Sequence, residues 1–376
     1  SRHPLRAVTH APAGLGLSLG GMATPARCIL IDGSSLIYRA FFALPSNFST
    51  REGLPTNAIY GFATMFRKIL SGKQPEYGAV LLDAPGPTLR AQAYPEYKSQ
   101  RPPMDSRLRE QIPHIDAVID AHGFPRIRMP GYEADDLIGT LCQQALAADM
   151  EVHIISGDKD FAQLIGPQVR MVDTLRDINF DAELVRKKWG VPPHQFVDLL
   201  AMVGDKVDNI PGVPGVGQKG AAKLLDTYGS LDEIIKHAED LKGRQKTAFT
   251  EHVEMAKLSR DLATIDVKVP LEVGLDDLSI NPPEPNALNS LYKELEFYSL
   301  LAGDQSRGDA PDENAEYATL TELAEFEAFL SKSGQRRIAV MPVIDRPSAV
   351  RGALVGVAMS VEKGKAVYVE AQAAPE

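Results

Sequence analysis

The sequence predicts an α/β fold in which helices flank a mostly parallel central sheet, followed by a smaller helical region. Three observations support this. Short apolar runs of strand length recur through the first half: CILI (28–31), AVLL (79–82), VHII (152–155) and VRMVD (169–173). Stretches with helical spacing of apolar residues separate them, the pattern of crossover units in a parallel sheet. Three of the runs lead into an aspartate: Asp32 and Asp83 follow at once, Asp158 three residues on. Ligands in such sheets sit outside the carboxyl ends of the strands, so the pattern places three carboxylates at one edge.

Residues 1–21 are free of acids and rich in Gly and Ala. A transit peptide has this composition; the plainer reading is a disordered upstream extension or expression remnant, with Met22 as the natural start. After Asp32, residues 34–42 have helical spacing and carry Tyr38 and Arg39. Residues 44–57 read as a loop and 58–70 as an amphipathic helix. Between Asp83 and Gln111 the chain holds Arg90, Lys98, Arg101, Arg107 and Arg109 interleaved with Tyr94 and Tyr97, and prolines 95, 102 and 103 interrupt any long helix. Basic residues mixed with aromatics suit phosphate contact and base stacking; a solvated charged loop is the alternative.

GYEADD (131–136) puts Glu133, Asp135 and Asp136 at the start of a helix-like run. Carboxylates suit a first helical turn, where free N–H groups favour negative charge. Such crowding also suits oxygen ligation of a divalent cation. Asp160 adds a carboxylate beside Asp158. Asp205 and Asp208 add two more at i, i+3, on one side if that turn is helical. PGVPGVG (211–217) then feeds a helix over 218–225 that carries Lys219 and Lys223. Gly212, Gly215 and Gly217 allow close backbone approach, and N–H groups at the helix start can face a phosphate. With the following YGSLDEII, this is the pattern of a helix-hairpin-helix.

Residues 255–263 and 288–301 read as helical, and 303–317 as an acidic linker. A further unit opens at 319 with a helix to Leu330 and three strand-like runs (338–343, 354–361, 366–371). It has no space for a full α/β domain and is expected to be cut short.

The 376 residues suffice for two domains, and 44% hydrophobic with 24% charged residues is a soluble globular balance. No apolar run approaches the ~18 residues of a membrane span. The net charge of −10 argues against a general nucleic-acid coat. It leaves a nuclease open, since metal-binding carboxylates raise the negative count. Cys28 and Cys142 sit in apolar runs and read as buried thiols of a reducing, cytoplasmic protein.

Taken together, ILIDGSSLIYRAFFAL, AVLLDA, AYPEYKSQRPP, GYEADD, SGDKDFAQL, GDKVDNIPGVPGVGQKGA and LSRDLATI resemble the 5′-nuclease domain of bacterial DNA polymerase I, a family that includes phage 5′ exonucleases and flap endonucleases. The likeness runs from about residue 27 to 301. The last stretch resembles the start of a 3′–5′ exonuclease-like domain, but Met341 and Val343 stand where an active proofreader has carboxylates.

The resemblance implies a PIN-like α/β nuclease core over 22–195 with a helical arch at about 85–112. A helix-hairpin-helix subdomain over 196–302, the linker and an inactive segment over 318–376 follow. It implies a metal-dependent 5′–3′ exonuclease and flap endonuclease, monomeric and nucleoid-associated, acting on nicked or 5′-flapped duplex DNA and RNA primers in lagging-strand processing and excision repair. Mg²⁺ would occupy two sites ~4 Å apart, with Mn²⁺ able to substitute. Asp32, Asp83, Glu133, Asp135 and Asp136 would form one cluster, and Asp158, Asp160, Asp205 and Asp208 the other. Lys98 and Arg101 match arch cations that reach the scissile phosphate, with Arg90 at the arch base. Tyr38 matches a base-stacking position, though a core tyrosine is the alternative, and Arg39 a DNA contact. Gly212, Gly215, Gly217, Lys219 and Lys223 would grip the duplex backbone, with K⁺ held at the hairpin. A catalytically silent helix-hairpin-helix module is the competing class. A related acidic-sheet ribonuclease would have no reason to carry the hairpin.

Overall fold

The structure, a computed structural model, describes residues 26–71, 75–305, 316–334, 338–344, 354–362 and 365–370. The expectation for 1–21 and most of the expected linker lie outside them. The chain divides into two compact units, one ending at Phe297 and the other starting at Tyr298.

The first unit is built on a six-stranded sheet. Its strands are β1 (Arg27–Asp32), β2 (Tyr77–Leu81), β3 (Arg126–Ile127), β4 (Glu151–Ile155), β5 (Val169–Asp173) and β6 (Ile178–Phe180). Their order is β3-β2-β1-β4-β5-β6, all parallel except β6, which pairs antiparallel with β5. The first four apolar runs are therefore the sheet's inner strands. In β1 every residue after Arg27 is buried, as a strand covered on both faces requires. The order runs one way from β1 to β3 and the other way from β4 to β5. The crevice at this reversal opens at the carboxyl ends of β1 and β4, where Asp32 and Asp158 stand.

Helices α1 (Gly33–Ala43), α2 (Asn57–Ile69), α3 (Leu89–Ala93), α4 (Ser106–Ala121), α5 (Ala134–Ala147) and α6 (Ala182–Trp189) accompany the sheet. The stretch expected as an arch is α3, an irregular strap over 94–105 and the first turns of α4. Helices α7 (Phe196–Val203), α8 (Gln218–Tyr228), α9 (Leu231–Lys236), α10 (Arg244–Glu251), α11 (Val253–Ala263) and α12 (Pro285–Glu294) form the helical part. One buried apolar cluster runs from Cys28 in β1 through α5 to Leu262 in α11, so both parts share a core.

The helical stretch expected over 288–301 is broken. α12 ends at Glu294, Glu296 adopts a left-handed φ of 60°, and α13 (Tyr298–Gln305) opens the second unit. That unit has a strand before its helix, which the sequence reading missed: β7 (Glu316–Leu320) precedes α14 (Leu323–Ser333). β8 (Ala339–Ile344), β9 (Leu354–Glu362) and β10 (Lys365–Glu370) follow. The sheet order is β7-β10-β9-β8, with β7 parallel to β10. β8, an edge strand that tolerates Pro342, reads AVMPVI and has no carboxylate.

Candidate metal centre

Local capping explains why the acidic residues face one another. Asp32 ends β1 and caps α1: its Oδ1 accepts from Ser35 N (2.9 Å) and its Oδ2 from Ser156 Oγ (2.7 Å). Ser156 Oγ in turn accepts from Asp158 N (3.0 Å), joining the ends of β1 and β4. Asp158 caps the 3-10 turn Lys159–Leu164 and accepts from Asp160 N (3.1 Å). Asp83, beyond β2, accepts from Ala134 N at the start of α5 (2.9 Å), and its own N–H donates to Ser34 Oγ (2.9 Å). These caps converge on a cleft of about 240 Å³ lined by Asp32, Asp83, Glu133, Asp135 and Asp158, with Tyr38, Arg39, Lys98 and Arg101. A neighbouring cleft of about 410 Å³ shares Asp158 and adds Asp160, Asp205 and Asp208.

Eight of the nine expected carboxylates thus line one continuous depression. Asp136 does not. On a helix of 3.6 residues per turn, adjacent residues point about 100° apart. Asp135 faces the cleft, while Asp136, buried, faces Arg90. Arg90 donates to both Asp136 oxygens (2.7 and 2.6 Å), to Thr264 O (2.6 Å) and to Glu133 Oε2 (3.3 Å). Asp136 also accepts from Glu133 N and Asp266 N. Asp136 as ligand and Arg90 as catalytic cation are therefore corrected: the pair is a buried clamp between α3, α5 and the end of α11.

The strap supplies Lys98 and Arg101 to the cleft. Lys98 adopts φ 54°, a strained conformation for a non-glycine residue. Its Nζ reaches Glu133 Oε1 (2.7 Å) and Asp208 Oδ2 (3.6 Å), and its N–H donates to Asp208 O (2.9 Å). Arg101 pairs with Asp208, and Lys159 with Asp205. Asn209, also left-handed at φ 57°, donates to Glu96 O (2.7 Å) and accepts from Gln100 Nε2 (3.2 Å). The loop holding Asp205 and Asp208 is a bridged turn (Asp205 to Ile210) and not helical. Both carboxylates reach the cleft even so. Sequence reading missed Ser156, Lys159 and Asn209. Only their positions inside SGDKD and GDKVDN could have flagged them.

The electrostatics leave the cleft short of positive charge. Burial, then the nearby charges of Asp158 and Asp83, push Asp32 up to about 6 against its hydrogen bonds from Ser156 and Ser35. Burial and then Asp158 push Asp160 up to about 8. Burial, then Asp32 and Asp158, hold Asp135 well above the usual carboxylate range. Lys98 stays charged: burial is the largest influence and opposes this, but Glu133, Tyr97, Asp208 and Asp135 together outweigh it and hold its pKa well above the ordinary value. Asp160 Oδ1 is buried with no hydrogen-bond partner. Among the described residues, no three His, Cys, Asp or Glu side chains are grouped closely enough to ligate one ion as they stand. Mg²⁺ takes only one or two carboxylates directly and keeps several waters. Unpartnered Asp160 Oδ1 and the strained charges of Asp32 and Asp135 fit a divalent cation of that habit.

Tyr38 is 39% exposed and lines the cleft, which removes the core-tyrosine alternative. The hairpin glycines divide. Gly212 (φ 66°) is buried against Gly204 (φ 74°), where a Cβ on either would collide with the other segment's backbone, and its N–H donates to the buried Ser259 Oγ (2.9 Å). Its role is corrected from duplex contact to packing. Gly215 and Gly217 are exposed with open space around them, as are Lys219 and Lys223.

An acidic cleft at the switch point of a parallel sheet, bordered by strap cations and joined to a hairpin-bearing helical part, defines an α/β phosphate-ester-handling architecture. Comparison with known proteins narrows the class. The N-terminal resolvase-like domain of 5′-3′ exonucleases matches residues 27–190, and their C-terminal SAM-fold domain matches 191–286. A 5′-3′ exonuclease of Aquifex aeolicus is 42% identical over 272 residues, covering 72% of this chain and 93% of that protein. DNA polymerase I of Pseudomonas aeruginosa is 39% identical over 364 residues, covering 91% of this chain and 39% of the polymerase. DNA polymerase I of Bacillus caldotenax is 42% identical over 73% of this chain and 32% of that protein. The chain thus spans about a third to two-fifths of the length of these polymerases. A bacteriophage T5 5′-exonuclease with bound zinc ions shares the fold (TM-score 0.54, 22% identity, 72% of this chain and 98% of that one). So does a T5 flap endonuclease in complex with DNA and metal ions (TM-score 0.53, 20% identity, 73% and 99%). The chain belongs to the 5′-3′ exonuclease family.

Proposed function

We propose that this chain is a metal-dependent, structure-specific 5′ nuclease that hydrolyses phosphodiester bonds at 5′ flaps, nicks and RNA primers on DNA. The observation that carries this is the convergence of eight carboxylates from separate parts of the chain on one depression, with Lys98 and Arg101 at its edge. The family's flap-endonuclease and DNA-bound structures support it.

Asp32, Asp135, Asp158 and Asp160 are the candidates to hold two divalent cations, Mg²⁺ in the cell with Mn²⁺ able to substitute. Asp83, Glu133, Asp205 and Asp208 act through water or by holding cations of the strap. When bound, the cations supply Lewis-acid stabilisation of phosphoryl oxygens and a water nucleophile at neutral pH. Lys98 and Arg101 exchange their carboxylate partners for the non-bridging oxygens of the scissile phosphate and stabilise charge that develops there. Tyr38 stacks on the terminal base pair, and Arg39 holds the adjacent backbone. Gly215, Gly217, Lys219 and Lys223 grip the duplex without reading bases, with K⁺ at the hairpin. Within the second unit, Met341 and Val343 leave β8 without metal ligands, so that unit contributes no proofreading. The expected role is in lagging-strand processing and excision repair in the cytoplasm, as a monomer.

The test is a 5′-flapped DNA labelled at each end in turn. Mg²⁺ should release short 5′-labelled products, and chelator should abolish them. Tight binding with no cleavage in Mg²⁺ would favour the silent hairpin module instead.

A further inference from the structure

Besides its carboxylates the larger cleft is lined by basic residues, Arg39, Arg176 and Lys188 among them, two of which have no part in the scheme above. Asp173 closes β5 and is 1% exposed. Its Oδ1 accepts from Leu175 N (3.1 Å), Arg176 N (3.3 Å) and Arg39 Nη1 (3.3 Å), and its Oδ2 from Arg176 Nη1 (3.4 Å). One buried carboxylate thus fixes two guanidiniums and leaves them jointly with net positive charge. Gly157 is part of the same arrangement: a Cβ there would collide with the Arg39 guanidinium, so only glycine lets Arg39 lie across the backbone beside Asp158. Lys188 completes the basic lining. Its ammonium is held by rings, 4.5 Å from the Trp189 centroid and 4.7 Å from that of Phe180. Arg39, Arg176, Lys188 and Trp189 all line the cleft that also holds Asp158 and Asp160.

Cations already oriented by a buried carboxylate or by aromatic rings lose less freedom on meeting an anion, so they are partly preorganised for one. We propose that Arg39, Arg176 and Lys188 form a phosphate-binding rim, organised by Asp173 and Gly157. The rim takes the sugar-phosphate backbone of a nucleic-acid strand beside the bond lying at the carboxylates. This deepens the nuclease reading and rests on it for the polyanion. Arg39 was already expected to touch DNA; Arg176 and Lys188 are further binding residues, and Asp173 is a positioning residue that never meets the strand. Because the rim meets phosphates alone, its contribution is independent of sequence and falls with salt.

The test reads binding of the full chain to a nicked duplex in chelator, so that cleavage plays no part, across a salt series. Removing one cation that neutralises a phosphate lowers the slope of log affinity against log salt by about 0.9. Arg176→Ala/Lys188→Ala should therefore lower the slope by about 2 and, in Mg²⁺ turnover, raise KM severalfold with a smaller change in kcat. Both side chains are exposed, so the fold is not at stake. Asp173→Asn keeps an acceptor for the Leu175 and Arg176 N–H groups but removes the charge that pins the guanidiniums. It should raise KM with kcat less affected, whereas a merely structural role would lower the melting temperature and leave KM alone. An unchanged salt slope in the double variant overturns the rim. Wild-type protein that binds the nicked duplex but fails to cleave it in Mg²⁺ would instead strike the nuclease reading, and the slope would still decide the rim.

Discussion

Arg90→Met is the most informative single change, because sequence and structure assign the residue different work. In the folded chain the Arg90 side chain is 14% exposed and that of Asp136 3%. Their two-pronged contact, with the further bond to Thr264 O, ties α3 to α5 and to the end of α11. Removing one partner of a buried pair costs about 3–5 kcal/mol, because the other charge is stranded. Asp136 would keep its N–H donors from Glu133 and Asp266. The lower end, about 3 kcal/mol, is therefore expected. For a unit of this size each kcal/mol moves the midpoint by about 2–4 °C, so the melting temperature should fall by about 6–12 °C. Glu133 remains held by Lys98 and by Tyr97 OH (3.0 Å). Flap cleavage well below the melting point should therefore stay within about threefold of wild type, a barrier change under about 0.7 kcal/mol. Arg90→Met/Asp136→Leu, which removes both charges, should recover most of the lost stability. Calorimetry and single-turnover cleavage measure both quantities. An unchanged melting temperature with cleavage down a hundredfold would refute the clamp and return Arg90 to the substrate.

The remaining predictions concern the cleft. Asp135→Ala and Asp158→Ala should each lower single-turnover cleavage by about a thousandfold or more, since a cation's charge stabilisation is worth several kcal/mol. Gel-shift affinity for flapped DNA should stay within severalfold, and retained Mg²⁺-dependent turnover in both would contradict the assignment. Lys98→Ala should lower the cleavage rate far more than Lys219→Ala, which should instead weaken binding and reduce its salt slope by about 1; equal rate effects would count against the strap. Asp32 and Asp160, raised to about 6 and about 8 in the folded chain, bind protons more tightly there than when unfolded. Their stabilisation is fully present below an unfolded value of about 4 and is lost as pH rises through the two folded values. Metal-free protein should therefore melt higher near pH 5 than near pH 9, and millimolar Mg²⁺ should raise the melting temperature most at the alkaline end, as differential scanning calorimetry would show.

Strands buried on both faces show in sequence as unbroken apolar runs, so β1 and β2 were legible from 28–31 and 79–82, while β4 and β5, whose burial alternates in part, were legible from the shorter apolar patterns at 152–155 and 169–173. β3 and β6, with two and three residues, are too short to leave a pattern. Helix α4 was obscured by its charges, by Pro113 within it and by the prolines just before it. The site was legible as a set of residue types, because carboxylates at strand ends and helix caps are placed by local rules. Which way each one turns is not local. Asp135 and Asp136 are neighbours in sequence, and only the rotation of α5 against the sheet sends one to the cleft and the other to Arg90. The same holds for Gly212 and Gly215: both take positive φ, but only Gly212 meets a second segment, at Gly204. Arg90 reads as one more cation in a basic stretch until its partner, 46 residues away, is seen.

One depression gathers the carboxylates that would hold divalent cations. Soaking crystals of the chain in Mn²⁺ and recording anomalous scattering tests it directly. Two peaks in the depression, bordered by Asp32, Asp135, Asp158 and Asp160 and lost in Asp135→Ala and Asp158→Ala crystals, are predicted. Peaks confined to other acidic surfaces, or an empty depression at Mn²⁺ concentrations that support cleavage, would contradict it.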